Sequence, residues 1–143
     1  MYTFLDQVVA SCMTRNVRTV SRGMTLRELG DQFAKDDFNT YPVVENSHVI
    51  GVVSKFDFLS RFVFTSAHMI PRYQDLMEQS VADIMTPDFI YVRLETKLTR
   101  VLQLMVDHRI RSMPVIENDQ RLAGMISRED VMRVLEDCVR GAG

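Results

Sequence analysis

Residues 51–57 read Gly51-Val52-Val53-Ser54-Lys55-Phe56-Asp57, and 73 positions later residues 124–130 read Gly124-Met125-Ile126-Ser127-Arg128-Glu129-Asp130. Each segment begins as a short apolar strand and ends in Ser-x-x-Asp. That ending is a helix start, with a serine at the cap and an acid three residues on. A strand running straight into a capped helix, twice in one chain, decides the fold. Working outward, each segment follows a second apolar strand, Tyr41-Pro42-Val43-Val44 in one case and Met113-Pro114-Val115-Ile116 in the other. Polar turn residues lie between the strands, at 45–47 and 117–120, so each pair reads as a hairpin.

The duplication extends further toward the N-terminus. At an offset of 72, residues 7–46 match residues 79–118 at 11 of 40 positions without a gap. Average composition would give roughly two or three. Met13-Thr14 and Met85-Thr86 are among the matches, as are Leu26 and Leu98. The period is long for a solenoid and there are only two copies, so the halves belong to one folded module. The copies are placed at 4–69 and 76–140. Each alone, at about 60 residues, could bury too little surface to be more than marginally stable.

Both copies carry the same local signals. Residues 4–12 and 76–84 have apolar residues at helical spacing, and short extended stretches follow at 17–20 and 89–92. Thr25-Leu26-Arg27-Glu28 has the form of a capping box, with Leu26, Leu29 and Phe33 on one helix face. Its counterpart presents Leu98, Val101, Leu102, Met105 and Val106. The last helix of each copy carries Phe58, Leu59 and Phe62, or Val131, Met132 and Leu135. The predicted order is β-α-β-β-α twice, an α+β (mixed α/β) fold, with 63–75 and its Pro71 as the link.

Composition narrows the function classes. The 143 residues include 46% hydrophobic and 25% charged residues, near the globular average. The first 72 residues hold 8 basic and 7 acidic residues, and the remainder 9 and 12, so neither half offers the positive field that nucleic acid requires. No apolar run approaches the length of a membrane span. No basic segment precedes Asp6, so no secretory leader is expected, and two cysteines make no disulfide framework. The expectation is a soluble, cytoplasmic protein. Catalytic motifs are missing: there is no Gly-x-Ser-x-Gly, no phosphate-binding Walker loop and no His-Glu-x-x-His. His48, His68 and His108 lack metal-ligand spacing. Cys12, Cys138 and the methionines Met77, Met85, Met105 and Met132 read as packing residues.

Met-Thr, Pro-Val-hydrophobic and Gly-x-x-Ser-x-x-Asp, in that order and twice over, resemble the cystathionine-beta-synthase (CBS) domain as a tandem pair. The resemblance covers roughly residues 4–140. It implies two repeats packed through their sheets about a pseudo-two-fold axis, with clefts between them. It also implies regulatory binding of an adenosine-containing ligand (AMP, ADP, ATP or S-adenosylmethionine) in those clefts, with no catalysis and no required cofactor.

Two readings of Ser-x-x-Asp stand side by side. As a cap, Ser54 with Asp57, or Ser127 with Asp130, contributes perhaps ~1 kcal/mol to its helix. As a ligand site, the helix start and serine hydroxyl suit a phosphate, and the aspartate accepts hydrogen bonds from a ribose diol. The resemblance favours the second. It adds the segments before the strands, Thr40, Tyr41 and Pro42 in one copy and Ser112, Met113 and Pro114 in the other, as lining for a base. Tyr41 is a candidate to stack on a purine or, equally, a packing residue. Arg111 and Arg128 are the expected phosphate contacts, which makes the second copy the better site for an anion. The competing function is a ligand-free dimerisation scaffold. Family members commonly form dimers, and the apolar residues on the last helix of each copy predict a homodimer reporting to an effector protein.

Overall fold

Thr25 opens the first helix as its box dictates. Its Oγ1 accepts the Glu28 N–H at 3.2 Å, and Glu28 Oε1 accepts the Thr25 N–H at 3.2 Å. Helix α1 then runs Leu26–Lys35 and buries Leu26, Leu29 and Phe33. The chain, seen here in a computed structural model that describes residues 3–63 and 73–141, continues as β1 (Thr40–Glu45), β2 (His48–Ser54) and α2 (Lys55–Ser60). Asn46 and Ser47, both at positive φ (52° and 67°), form the two-residue turn whose twist suits an antiparallel hairpin. Two short helices, α3 (Tyr73–Met77) and α4 (Val81–Ile84), follow. Helix α5 (Leu98–His108), strands β3 (Ser112–Ile116) and β4 (Leu122–Ser127), and α6 (Arg128–Gly141) repeat the plan.

Packing divides the chain into two compact units, Arg18–Phe89 and Met1–Val17 with Ile90–Gly143. In the first, the β1–β2 hairpin gains a lane on each side. Val20 donates to the Pro42 carbonyl at 3.1 Å and accepts from Val44 at 3.0 Å, while Val52 and Thr86 exchange bonds of 3.0 and 2.8 Å. Its core is Val20, Leu26, Leu29, Phe33, Tyr41, Val43, Val53 and Val81. In the second unit, Val92 pairs with Pro114 and Ile116 at 3.1 and 2.9 Å, and Thr14 pairs with Met125 at 2.8 and 2.9 Å. Val9, Val92, Leu98, Val101, Met105, Met113, Val115, Ile126 and Val131 form its core. The fold class is the expected α+β.

The sequence repeat and the packing unit do not share boundaries. The segment leading each copy packs with the helix and hairpin of the other copy. This explains why 4–12 and 76–84, despite their helical spacing, are not continuous helices. Val9 and Ala10 donate sideways to Thr96 and Leu94, and Gln7 accepts from Leu98, so these groups are unavailable for helical bonds. Only two 3₁₀ turns form, Phe4–Asp6 and Val9–Ser11. Likewise Gln79 accepts from Leu26 and Val81 donates to Met24, breaking the second segment into α3 and α4. The lateral bonds serve the main helices: the first N–H of α1 and of α5 meets a carbonyl from the leading segment.

The stretches at 17–20 and 89–92 contribute single bridges rather than strands. Met105 is buried and Met77 and Met85 are half-buried, but Met132 is 62% exposed and is no core residue. Pro71, His68 and most of the expected link lie outside the described residues.

Candidate functional site

Each unit carries one Ser-x-x-Asp helix start, and in each the reciprocal cap is formed. Ser54 N–H donates to Asp57 Oδ2 at 2.8 Å and Ser54 Oγ accepts the Asp57 N–H at 3.0 Å. Ser127 N–H donates to Asp130 Oδ2 at 3.0 Å, and Ser127 Oγ accepts the Asp130 N–H at 3.3 Å. The hairpin sets each serine opposite a hydroxyl residue, Thr40 across from Ser54 and Ser112 across from Ser127. The next helical N–H is also used, since Lys55 donates to the Asn39 carbonyl at 2.9 Å and Arg128 to the Arg111 carbonyl at 2.8 Å.

Capping leaves different remainders in the two units. Asp130 is 2% exposed, and Thr14 Oγ1 lies 3.3 Å from each of its carboxylate oxygens. Arg133 Nη2 is 3.3 Å from Oδ1. Thr14 holds its place through the backbone bridge to Met125, and this bridge passes Gly124 closely. A Cβ on Gly124 would stand 2.5 Å from the Thr14 carbonyl oxygen, which no side chain tolerates. At the equivalent Gly51 the corresponding distance to the Thr86 oxygen is 3.0 Å. Thr86 occupies the matching edge position beside Val52. Among the described residues, its hydroxyl makes no bond to Asp57, which is half-buried.

The expected lining residues separate into those turned to the core and those left outside. Tyr41 is fully buried. Its ring stacks on Phe33 at 4.7 Å, and its hydroxyl donates to Asp36 Oδ2 at 2.9 Å, with the Gln32 carbonyl at 3.1 Å. Burial, then the Asp36 carboxylate, push the phenol pKa well above its usual value. The ring is therefore a core element rather than a stacking surface. Met113 is buried in the same way in the other unit. The Pro42 and Pro114 carbonyls are already taken by Val20 and Val92.

Arg111 and Arg128 are exposed, and Arg128 Nε lies 3.0 Å from Glu129 Oε1. In the other unit Lys55 Nζ sits 5.9 Å from the Phe33 ring centroid. Near Ser127 there are thus two exposed guanidinium groups, Arg111 and Arg128. Cys12 packs against the core beside Asp130. Burial, then the negative charge of Asp130, raise its thiol pKa to about 11, which favours the protonated thiol at neutral pH.

Two contributors to the Asp130 site, Thr14 and Arg133, lie outside the expected site residues. Thr14 carried a visible signal, a hydroxyl repeated at the same offset as Thr86, but no reason to meet an aspartate 116 residues away. Arg133 was legible as an i, i+3 partner of Asp130 on a helix. Among the described residues no cluster of His, Cys, Asp and Glu could hold a metal, and no helix is long and apolar enough to cross a membrane.

A family model described as CBS domain matches residues 9–63 and 81–137. Protein MJ1225 of Methanocaldococcus jannaschii superposes with a TM-score of 0.85 at 23% identity, over 92% of this chain and 48% of that one. The structure of CBSX2 in complex with AMP gives a TM-score of 0.78 at 26% identity, covering 93% and 98% of the two chains. The CBS domain pair of protein MJ0100, in complex with 5-methylthioadenosine and S-adenosyl-L-methionine, gives 0.76 at 18% identity over 92% and 97%. The chain spans about half the length, or less, of the curated relatives it first matches.

Proposed function

The chain belongs to the CBS domain family, and from that premise we propose that it is a regulatory module that binds an adenosine-containing ligand and passes the bound state to an effector protein. The observation that carries this reading is the paired Ser-x-x-Asp start, one in each unit, with a threonine bridged to the strand that leads into it. The serine and helix N-terminus of α6, together with Arg111 and Arg128, suit a phosphate. The aspartates suit a ribose diol. Thr40 and Ser112, with the backbone of Tyr41 and Met113, remain as the base-facing segments, and Pro42 and Pro114 line them only by contact. Support from outside comes from CBSX2, whose structure contains AMP and which resembles this chain along nearly its whole length. Candidate ligands are AMP, ADP, ATP and S-adenosylmethionine. The module needs no cofactor and performs no catalysis, and its setting is cytoplasmic. A competing scaffold reading would use only the caps.

Thermal melts with these four ligands separate the two. A ligand at 100 times its dissociation constant adds about 2.7 kcal/mol, which moves the midpoint by roughly 5–10 °C in a chain of this size. Four unmoved melts, with no calorimetric heat, would establish the scaffold instead.

The module acts as a homodimer in this proposal. Of the residues expected to supply the contact, Val131 is buried, and Phe58 and Phe62 pack on each other at 5.1 Å. Leu59 remains exposed on α2; on α6, Met132, Leu135 and, one turn further along, Val139 form an exposed strip. A two-fold contact would cover such a strip without propagating into a polymer. Sedimentation at micromolar concentration should give twice the 16.5 kDa chain mass, and Met132→Glu should return it to one. A single-chain mass for the unsubstituted protein rejects the dimer.

A further inference from the structure

Asp130 is a buried carboxylate with a donor at each oxygen. Ser127 N–H meets Oδ2 and Arg133 meets Oδ1, while the single hydroxyl proton of Thr14 is shared between the two, Oγ1 lying 3.3 Å from each. Arg133 is the unusual member of this set. Its side chain is 62% exposed, yet Nη2 reaches in to 3.3 Å from Oδ1 of a side chain only 3% exposed. The pair thus joins a solvated side chain to a buried one.

The other repeat provides an internal control. At the offset of 73, the residue matching Arg133 is Ser60, and its hydroxyl donates to the Asp57 backbone carbonyl at 2.8 Å, away from the carboxylate. Among the described residues no donor meets Asp57 Oδ1. The cations of that element are engaged elsewhere, Lys55 over the Phe33 ring and Arg61 on the Asp83 carbonyl. One carboxylate keeps an open oxygen, and the other is closed by its own chain.

Resting on the reading that these carboxylates receive a ligand's vicinal hydroxyls, we propose that Arg133 is a specificity-determining residue of the Asp130 site. It occupies the carboxylate edge that a diol needs. A neutral nucleoside must displace it without offering the guanidinium anything in return. A ligand carrying an anion offers a new partner, because a planar guanidinium pairs strongly with phosphate oxygens. The anion draws Arg133 off Asp130, and the diol takes the oxygen so released. The Asp57 site, with Ser60 in this position, has no such requirement and accepts neutral adenosyl ligands. The two sites of one chain then answer to different ligand classes.

The test is calorimetric titration of the full chain with adenosine and with AMP, in an Asp57→Ala background so that the Asp130 site reports alone. Arg133→Ser copies the residue of the other repeat at an exposed position, and an unchanged melt shows that the fold is intact. This variant should tighten adenosine about five-fold, the size of an exposed ion pair, and weaken AMP about ten-fold through loss of the phosphate contact. Arg133→Lys, which keeps the charge without the fork, should fall between. Adenosine and AMP both unmoved by Arg133→Ser, or moved by the same factor, would overturn the proposal. So would loss of all binding in Asp57→Ala while the unsubstituted chain binds. If the unsubstituted chain binds neither adenosine, AMP nor S-adenosylmethionine, the ligand-sensing function itself fails, an outcome distinct from the other two.

Discussion

Gly124→Ala should lower the melting midpoint by about 10 °C, corresponding to about 3 kcal/mol in a chain of this length. The added Cβ would lie 2.5 Å from the Thr14 carbonyl oxygen, and the obstacle is backbone rather than a side chain that can turn aside. Relief requires the Thr14 edge to move away from β4. That movement breaks the bonds of 2.8 and 2.9 Å between Thr14 and Met125. It also withdraws the Thr14 hydroxyl from Asp130, so the same substitution should weaken ligand binding in that unit. Gly51→Ala serves as the comparison. There the carbonyl oxygen of Thr86 and the flexible sulfur of Met85 both stand at 3.0 Å, so shifts of a few tenths of an ångström suffice and the loss should be less than half as large. Melts of the two variants side by side check the pair. Equal losses would mean that the close approach at Gly124 does not govern the edge.

Tyr41→Ala should cost about 4 kcal/mol, the range for deleting a large buried aromatic side chain. The ring fills the space between Phe33 and Phe38, at centroid distances of 4.7 and 6.1 Å. Tyr41→Phe keeps that packing and loses only the hydroxyl, leaving Asp36 Oδ2 without its donor. Arg18 Nε still faces Asp36 Oδ1 at 3.3 Å, so the cost should stay near ~1–2 kcal/mol. Denaturant titration measures both. Neither variant should alter ligand affinity by more than about two-fold once the fraction folded is accounted for, because the ring offers no surface to a purine. A ten-fold loss in Tyr41→Phe with an unchanged midpoint would return the residue to the site.

Much of this architecture was legible in the chain itself. Helix starts, hairpins and caps depend on residues within four positions of one another, so Thr25 with Glu28, Ser54 with Asp57 and Ser127 with Asp130 could be read directly, and the duplicated order made the family resemblance visible. Segments whose backbone bonds go sideways were not legible. Residues 4–12 and 76–84 carry helical spacing, yet their N–H and C=O groups serve the starts of α5 and α1 and the loops just before them. Burial direction was also decided late: Tyr41 was a stacking candidate and Met132 a core candidate until packing turned the first inward and the second out. The difference between the two aspartates is divided between the two levels. Asp57 and Asp130 occupy the same motif, and the chain itself sets Ser60 or Arg133 one turn beyond them. Only the folded chain brings Thr14 from 116 residues away to Asp130, because hydrogen bonds to a carboxylate are set by position in space and not by spacing along the chain.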